Sequence, residues 1–283
     1  MGDVPAGEAD RPGERAVLAV LTAAGTGSRL GSEGPKALVC VGGVAMVEHA
    51  ARALARAGVA AVVVTAPEDG VAEFARILPG SVPGFPSVPV ACVAGGGSRQ
   101  ESVAAGLAAL PGLAARAGVE LRADTPVLVH DAARPLTPVA VIERVVTAVR
   151  AGLDGVVPAL PVTDTLKQVG HPPVRIGEEP GAPGGAARSG APFEALPVVD
   201  TPERSRLWAV QTPQGFPWSV LVRAHREGAA RGASEATAAT DDAGLVEDLG
   251  LTVHVVRGDA LSLKVTTPLD LRLAELLLET RPS

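Results

Sequence analysis

Glycines and two cations crowd the segment AAGTGSRLGSEGPK, residues 23–36, which directly follows the apolar run AVLAVLT. The segment matches neither common phosphate-binding motif. A dinucleotide fingerprint needs a third glycine where Leu30 stands, and a P-loop needs a hydroxyl residue where Ala37 follows Lys36. Glycine still lets backbone N–H groups approach an anion closely, and Arg29 and Lys36 add positive charge beside them. The segment therefore predicts a phosphate-binding loop of another design.

Three further polar groups follow apolar segments. Asp131, in VHDAARP, ends a predicted buried strand, where its carboxylate needs a metal, a hydroxylated ligand or an ion pair with Arg134. Ser102, in GGGSRQES, lies at a predicted helix start, where the helix dipole favours anions. Lys264, in SLKVTT, is predicted to lie on an apolar strand, where its charge needs an anion.

The remaining candidates for chemistry are few. The five histidines are scattered, which favours structural or surface positions for His130 and the others. The chain has no Ser-His-Asp set, Cys-His pair or zinc-ligand spacing. Cations, glycines and one aspartate at a strand end suit phosphoryl or nucleotidyl transfer, in which catalysis rests on positioning and charge neutralisation.

Apolar strand patterns alternate with helical patterns over the first 160 residues, which predicts an α/β fold with a mostly parallel sheet and helices on both faces. The carboxyl ends of such strands gather the ligand-binding loops, so the three glycine-rich or charged stretches should meet in one crevice. The predicted strands are 16–21, 60–65, 88–94, 126–129, 155–159 and 252–257. The predicted helices are 46–57, 71–78, 99–110, 138–151 and 269–278.

The alternation stops after Pro161. Residues 177–192 are rich in glycine, proline and alanine, and the β-like pieces TDTLKQV and LPVVDTPE flank them. This pattern predicts a projecting β-arm at about 162–208, with a linker between two domains as the alternative. We expect a flexible tail at 1–15 and a single domain at 16–283 that carries the arm.

Composition narrows the setting of the protein. A net charge of −6 and a pI of about 5.4 give no basic field for nucleic acid, and no apolar run has the length of a membrane span. The N-terminus lacks the pattern of a signal peptide. Cys40 and Cys92 are widely spaced, so we expect core thiols in a reducing cytoplasm.

Seven motifs in order resemble the 2-C-methyl-D-erythritol 4-phosphate cytidylyltransferase family: AAGTGSRL with PKAL, GGGSRQESVAAGL, VLVHDAARP, TDTLK, RSRLWAVQTPQGF, TDDAGLVEDLG and LKVTTPLDL. The resemblance runs from about residue 16 to 280. It implies a Rossmann-like nucleotidyltransferase fold and a homodimer formed through the arms. It also implies a reaction of CTP with 2-C-methyl-D-erythritol 4-phosphate in the presence of Mg²⁺. The products would be pyrophosphate and 4-diphosphocytidyl-2-C-methyl-D-erythritol, in the non-mevalonate isoprenoid pathway.

The resemblance also implies roles for individual residues. Catalysis would use Arg29, Lys36, Arg204 and Lys264. CTP would be held by Ala23, Ala24, Gly25, Gly27, Gly96 and Ser102, with Asp131 and Ala132 near the ribose, the metal and the acceptor. The acceptor phosphate would meet Arg134, Thr240 and Lys264 from the home subunit, and Thr165, Arg204 and Thr212 from the arm of the partner.

Two features depart from the family pattern. Ser262 stands two residues before Lys264, where the family usually has asparagine, and the insertion at 177–192 enlarges the arm. Two other functions stay open at this point. One is a cytidylyltransferase for another polyol phosphate, such as ribitol 5-phosphate, and the other is a nucleotide-binding protein without catalysis.

Overall fold

The computed structural model describes residues 16–25, 34–176, 193–232 and 239–280. The predicted tail at 1–15, the loop residues Gly27 and Arg29, and the insertion at 177–192 lie outside these residues. The chain divides into two compact units. The residues up to Ala159 and those from Val210 onward form the first unit, and Leu160–Ala209 forms the second.

The described strands and helices are as follows. The strands are β1 (Val17–Thr22), β2 (Cys40–Val41), β3 (Val44–Ala45), β4 (Val59–Ala66), β5 (Ser81–Val82), β6 (Phe85–Ala94), β7 (Pro126–Asp131), β8 (Gly155–Pro161), β9 (Gln168–Val169), β10 (Val174–Ile176), β11 (Phe193–Ala195), β12 (Val198–Asp200), β13 (Trp208–Val210), β14 (Gln214–Pro217) and β15 (Val253–Arg257). The helices are α1 (Met46–Arg56), α2 (Val71–Ile77), α3 (Arg99–Arg116), α4 (Val139–Arg150), α5 (Trp218–Glu227), α6 (Ala229–Gly232), α7 (Asp242–Asp248) and α8 (Pro268–Glu279).

The first unit is built on a mostly parallel sheet, as predicted. Its strand order is β8-β14-β7-β1-β4-β6-β5, with β15 beside β8. Strands β1, β4, β6 and β7 run parallel, as do β8 and β15, whereas β14 runs antiparallel to both β7 and β8, and β5 to β6.

Helices cover both faces of this sheet because β1 is apolar at every second residue on each side. Ala19 and Leu21 pack in a cluster with residues of α1 and α4. Leu18 and Val20 pack in another cluster with residues of α3, α5 and α7. All four of these β1 side chains are fully buried. Strands that are buried on both faces read as continuous apolar runs, which is the pattern in the sequence.

The carboxyl ends of the parallel strands bring three loops together. Thr22, the last residue of β1, lies in register with Thr65 on one side and Asp131 on the other. The main chain continues this alignment past the strands, because Ala132 N–H donates to the Thr22 carbonyl at 3.0 Å. The predicted convergence of the loops after β1, β6 and β7 is confirmed.

Lys264 does not lie on a strand, so that prediction is wrong. The chain forms a 3₁₀ turn at Ala260–Ser262, where the Asp259 side chain accepts a hydrogen bond from Leu261 N–H at 2.8 Å. The lysine follows this turn in irregular chain, and the next residue, Val265, donates to the Ala133 carbonyl at 2.8 Å. Apolar and polar residues alternate in LSLKVTT, as they do in a strand. The chain is irregular here because Asp259 caps the 3₁₀ turn that begins the segment.

The second unit contains two short antiparallel pairs, β9 with β12 and β10 with β11. The two predicted β-like pieces contain β9 and β12. Every residue of these four strands is exposed, including the apolar side chains of Val174, Phe193 and Val198. An isolated two-stranded ribbon is marginally stable in water, so an exposed apolar ribbon needs a covering surface.

The two cysteines are unpaired. Burial raises the pKa of the half-buried Cys92 thiol to about 11. Cys40 is exposed, so the prediction of a core position is wrong for this residue. Within the described residues, the helices are too short or too polar to cross a membrane.

Candidate active site

A cavity of about 390 Å³ opens at the carboxyl ends of the strands. It lies within the first unit, between the loops that follow β1, β6 and β7 and the segment around Lys264. Eight residues that the sequence predicted for the site line this cavity: Ala23, Ala24, Gly25, Lys36, Gly96, Ser102, Asp131 and Lys264.

Lysines are concentrated at this cavity. The chain has three, Lys36, Lys167 and Lys264, and two of them line the cavity. Lys36 begins a short 3₁₀ turn directly after Pro35. In a protein whose net charge is negative, two of three lysines at one concave site indicate an anionic ligand.

Asp131 is the anion at the centre of the site. Lys264 Nζ lies 2.8 Å from one of its carboxylate oxygens, and Arg99 Nε lies 3.5 Å from the other. The Thr22 hydroxyl lies 3.3 Å from the same oxygen as Arg99. Burial by itself would raise the pKa of this carboxyl, but Arg99 and Lys264 outweigh it and hold the pKa well below its usual range. Asp131 is therefore ionised, and its cationic partners are not the Arg134 suggested by the sequence.

Arg99 is a site residue that the sequence analysis missed. It is the first residue of α3 and lines the cavity. Its Nη2 lies 2.8 Å from a carboxylate oxygen of Asp242, while its Nε faces Asp131. Burial would lower the pKa of the guanidinium, but Asp242 and Asp131 raise it. An arginine directly after the run GGGS at a helix start was the available signal.

The glycine-rich segment before α3 is held by its own hydrogen bonds. The Ser98 hydroxyl caps α3 by accepting from Glu101 N–H at 3.1 Å. Gly96 N–H donates to the Ser102 hydroxyl at 3.1 Å, and Gly97 N–H donates to Glu101 Oε2 at 2.8 Å. These amides are engaged within the segment, and the Ser102 hydroxyl also donates to the Ser98 carbonyl at 2.9 Å. Ser102 thus shapes the wall of the cavity, and its hydroxyl proton is donated to the Ser98 carbonyl.

Ala132 and Arg134 differ from their predicted roles. Ala132 is fully buried in the core, and the neighbouring Ala133 lines the cavity in its place. Arg134 donates from Nη1 to the Ser262 carbonyl at 2.6 Å and from Nη2 to the Val210 carbonyl at 3.3 Å. Its terminal nitrogens therefore bind main-chain carbonyls and brace the chain before Lys264.

Thr212 also differs from its predicted role. The resemblance implied an approach from the arm of a partner, but Thr212 belongs to the first unit and is only 5% exposed. Its hydroxyl accepts from Asp131 N–H at 3.0 Å and lies 2.9 Å from His130 Nδ1. Burial lowers the pKa of His130 to about 4, so this histidine is neutral and structural, as predicted.

The other three predicted residues are not among those that line the cavity. Thr240 is exposed just before α7 and does not line the cavity. Thr165 and Arg204 are exposed residues of the second unit, where Arg204 Nη1 donates to the Thr163 carbonyl at 2.6 Å.

The described residues do not form a resident metal site. No group of three or more His, Cys, Asp or Glu side chains among them could hold an ion. Asp131 offers one carboxylate, and both of its oxygens face cations. One carboxylate suits a Mg²⁺ ion that takes most of its ligands from substrate phosphates.

Comparisons with known proteins decide the family. The family model for 2-C-methyl-D-erythritol 4-phosphate cytidylyltransferase matches residues 17–177 and 192–280. The chain belongs to this family. It is a cytidylyltransferase of non-mevalonate isoprenoid synthesis, as the sequence predicted. The family model leaves residues 178–191 unmatched, which agrees with the insertion predicted at 177–192.

Individual relatives agree with this membership. The chain is 47% identical over 272 residues to a 2-C-methyl-D-erythritol 4-phosphate cytidylyltransferase of Streptomyces avermitilis, covering 95% of this chain and 94% of the relative. A relative of the same name from Nocardia farcinica is 45% identical, with 96% and 98% covered. The crystal structure of the enzyme of that name from Thermus thermophilus shares 32% identity at a TM-score of 0.62, with 94% and 100% covered.

Proposed function

We propose that the chain transfers CMP from CTP to 2-C-methyl-D-erythritol 4-phosphate in the cavity lined by Lys36 and Lys264. The observation that carries this proposal is the meeting of two of the chain's three lysines with Arg99 at the strand ends. An oxygen of the acceptor phosphate attacks the α-phosphorus of CTP. The bond from that phosphorus to the bridging oxygen breaks, and pyrophosphate leaves.

The reaction needs charge neutralisation and no general base. A phosphate monoester is already largely dianionic near pH 7, because its second pKa is about 6. Asp131 is consistent with this, since Arg99 and Lys264 hold the pKa of its carboxyl too low for a proton acceptor. Lys36, Lys264 and Arg29 (outside the described residues) oppose the charge that builds on the α-phosphate and the leaving group.

Mg²⁺ enters this scheme with the triphosphate. Asp131 is the one predicted metal ligand, and its carboxylate lies at the cavity wall. When bound, the ion would neutralise charge on the phosphates. Asp131 would contact the ion from the protein side.

The expected location of the protein is the cytoplasm, which contains CTP.

Pyrophosphate release tests the proposal and separates it from both alternatives. The assay pairs CTP or UTP with 2-C-methyl-D-erythritol 4-phosphate or ribitol 5-phosphate. We expect release with CTP and the methylerythritol phosphate, and a strong preference over UTP, because wrong base edges leave buried polar groups unpaired. Faster release with ribitol 5-phosphate would favour the other acceptor. CTP binding with no release under any condition would favour a non-catalytic protein.

The active assembly is a homodimer in which the second unit serves the neighbouring chain. This proposal is supported by the exposed apolar strands of that unit, which need a covering surface, and by two-fold symmetry as the commonest way to supply one. Thr165 and Arg204 would then meet the acceptor phosphate in the partner's cavity.

Mixed dimers test the shared site. Lys36→Ala and Arg204→Ala should each abolish activity in homodimers. When the two variants are unfolded together and refolded, about half of the dimers are mixed, and each has one intact site. Roughly a quarter of wild-type activity should return by this symmetry. If mixed dimers form but stay inactive, Arg204 acts in its own subunit.

A further inference from the structure

A chain of charged and polar side chains extends from the cavity into the protein. Lys264 pairs with Asp131, Arg99 lies between Asp131 and Asp242, and His225 lies behind Asp242. The side chains of Asp242 and His225 are 1% and 5% exposed, so both lie away from any substrate. Transfer of CMP does not use them directly, yet ionised groups are costly to bury unless they do work for the fold or the site.

Asp242 is fixed from three directions. Arg99 Nη2 and His225 Nε2 lie 2.8 Å and 2.9 Å from different oxygens of its carboxylate. Its backbone N–H donates to Gln214 Oε1 at 3.1 Å. It is also the first residue of α7, where the helix dipole favours a negative charge. Arg99 and His225 outweigh the effect of burial, so the pKa of the Asp242 carboxyl is lowered.

The guanidinium of Arg99 contacts two carboxylates at unequal distances. Its contact with Asp242 is 2.8 Å, and its contact with Asp131 is 3.5 Å. The closer pairing of Arg99 is with Asp242, and Lys264 pairs with the Asp131 oxygen that Arg99 does not contact. A shift of the Asp242 carboxylate would let the guanidinium move toward Asp131, and the cavity wall would change.

His225 is the group that prevents this shift. It lies on α5, whose residues Leu221 and Ala224 pack with Leu245 of α7 in one apolar cluster. The buried His225 ring lies between these helices, and its Nε2 lies 2.9 Å from the Asp242 oxygen that Arg99 does not contact. Rotation of the carboxylate would break this hydrogen bond in buried surroundings, where a lost bond to a charged group is costly.

We propose that His225 is a positioning residue that acts through Asp242 to fix the Arg99 guanidinium at the wall of the cavity. The proposal rests on the cytidylyl transfer proposed above. It assigns an effect on the reaction to a side chain that touches neither substrate. It also predicts that His225 matters to the reaction only while Arg99 is present.

A double-mutant cycle tests this dependence. The variants are His225→Leu, Arg99→Gln and the two together, and the measurements are kcat and KM for CTP with the unfolding free energy of each protein. His225→Leu should lower kcat/KM about tenfold, the size of a lost hydrogen bond to a charged group. In the Arg99→Gln protein the same change should alter kcat/KM less than about twofold, because coupled residues are not additive.

A conservative variant separates positioning from packing. His225→Gln keeps an N–H donor for Asp242 and should retain kcat/KM within about threefold of wild type. Arg223→Ala, on the same helix but in an exposed pair with Glu227, is the control and should have no effect. If His225→Leu does not fold, Asp242→Asn replaces it in the cycle with the same expectation.

The proposal is overturned if His225→Leu lowers kcat/KM by the same factor with and without Arg99. It is also overturned if a folded His225→Leu protein retains wild-type kinetics. Either result is distinct from failure of the proposed function, because the wild-type protein in the same assay reports cytidylyl transfer independently of the cycle.

Discussion

Lys264 can be removed with a large effect on the reaction and a small effect on the fold. The change Lys264→Met keeps most of the aliphatic stem and deletes the ammonium that faces Asp131 at 2.8 Å. That ammonium is a positive charge at the wall of the cavity in which we propose that transfer occurs. Loss of one preorganised group of this kind costs about 2.7–4 kcal/mol in the transition state, so kcat should fall about 100- to 1,000-fold.

The cost to stability is smaller for two structural reasons. The Lys264 side chain is 44% exposed, and ion pairs screened by solvent contribute about 0–1 kcal/mol. Asp131 also keeps Arg99 at 3.5 Å and the Thr22 hydroxyl at 3.3 Å, so its buried charge is not left alone. We therefore expect the unfolding free energy to fall by no more than about 1 kcal/mol.

Pyrophosphate release and urea unfolding measure the two quantities on the same preparation. Arg223→Ala is the matched control, because it breaks an exposed ion pair of similar length, 2.9 Å, outside the cavity. That variant should keep wild-type kcat. A Lys264→Met protein that loses about 3 kcal/mol of stability, or that retains kcat within tenfold, would refute the assignment of Lys264 to the reaction.

Three further results are expected. Lys36→Ala should lower kcat at least about 100-fold in a folded protein, and a drop under tenfold would exclude its role in the transition state. Gly95→Ala should raise KM for CTP about tenfold, because a Cβ there would lie 2.7 Å from Ser102 Oγ in the cavity wall; an unchanged KM would contradict this. Hydrogen bonds from Thr266 lower the pKa of the Asp270 carboxyl to about 2, whereas its value in the unfolded chain is about 3.9. The ionised carboxylate therefore stabilises α8 above about pH 4, and this stabilisation is lost as the pH falls toward 2. Asp270→Asn should thus cost about 1 kcal/mol at neutral pH and clearly less near pH 2, as urea unfolding at each pH would show; an equal cost at both would exclude the carboxylate.

The parallel strands were predictable because each carries an unmistakable pattern. Apolar residues fill β1, β4, β7 and β8, and helical spacing fills the segments between them. Strand β14 was missed because its sequence, QGFP, holds a glycine and a proline, which are both depleted in strands. It fits because Gly215 lets the strand pass close to Val145 of α4, which no local pattern records.

The lining of the cavity was predictable at the ends of strands, and it was not predictable where side-chain direction decides which atoms meet. Lys36 and Asp131 follow apolar runs and line the cavity as expected. Arg134 and Thr212 belong to motifs of the family, but the fold uses their side chains for its own hydrogen bonds. The sequence did not predict the buried position of Asp242, which is the second of two consecutive aspartates. Asp241 caps α7, and only this cap determines that Asp242 is the one that turns inward.

The most direct test of CMP transfer to the acceptor follows the phosphorus atoms of both substrates. ³¹P NMR of the protein with Mg²⁺, CTP and 2-C-methyl-D-erythritol 4-phosphate distinguishes transfer from hydrolysis in one spectrum. We expect loss of the CTP and monoester signals in equal amounts. Inorganic pyrophosphate and the two coupled signals of a pyrophosphate diester should appear in their place. Release of pyrophosphate with the monoester signal unchanged would contradict this expectation, because the α-phosphate of CTP would then have gone to water and not to the acceptor.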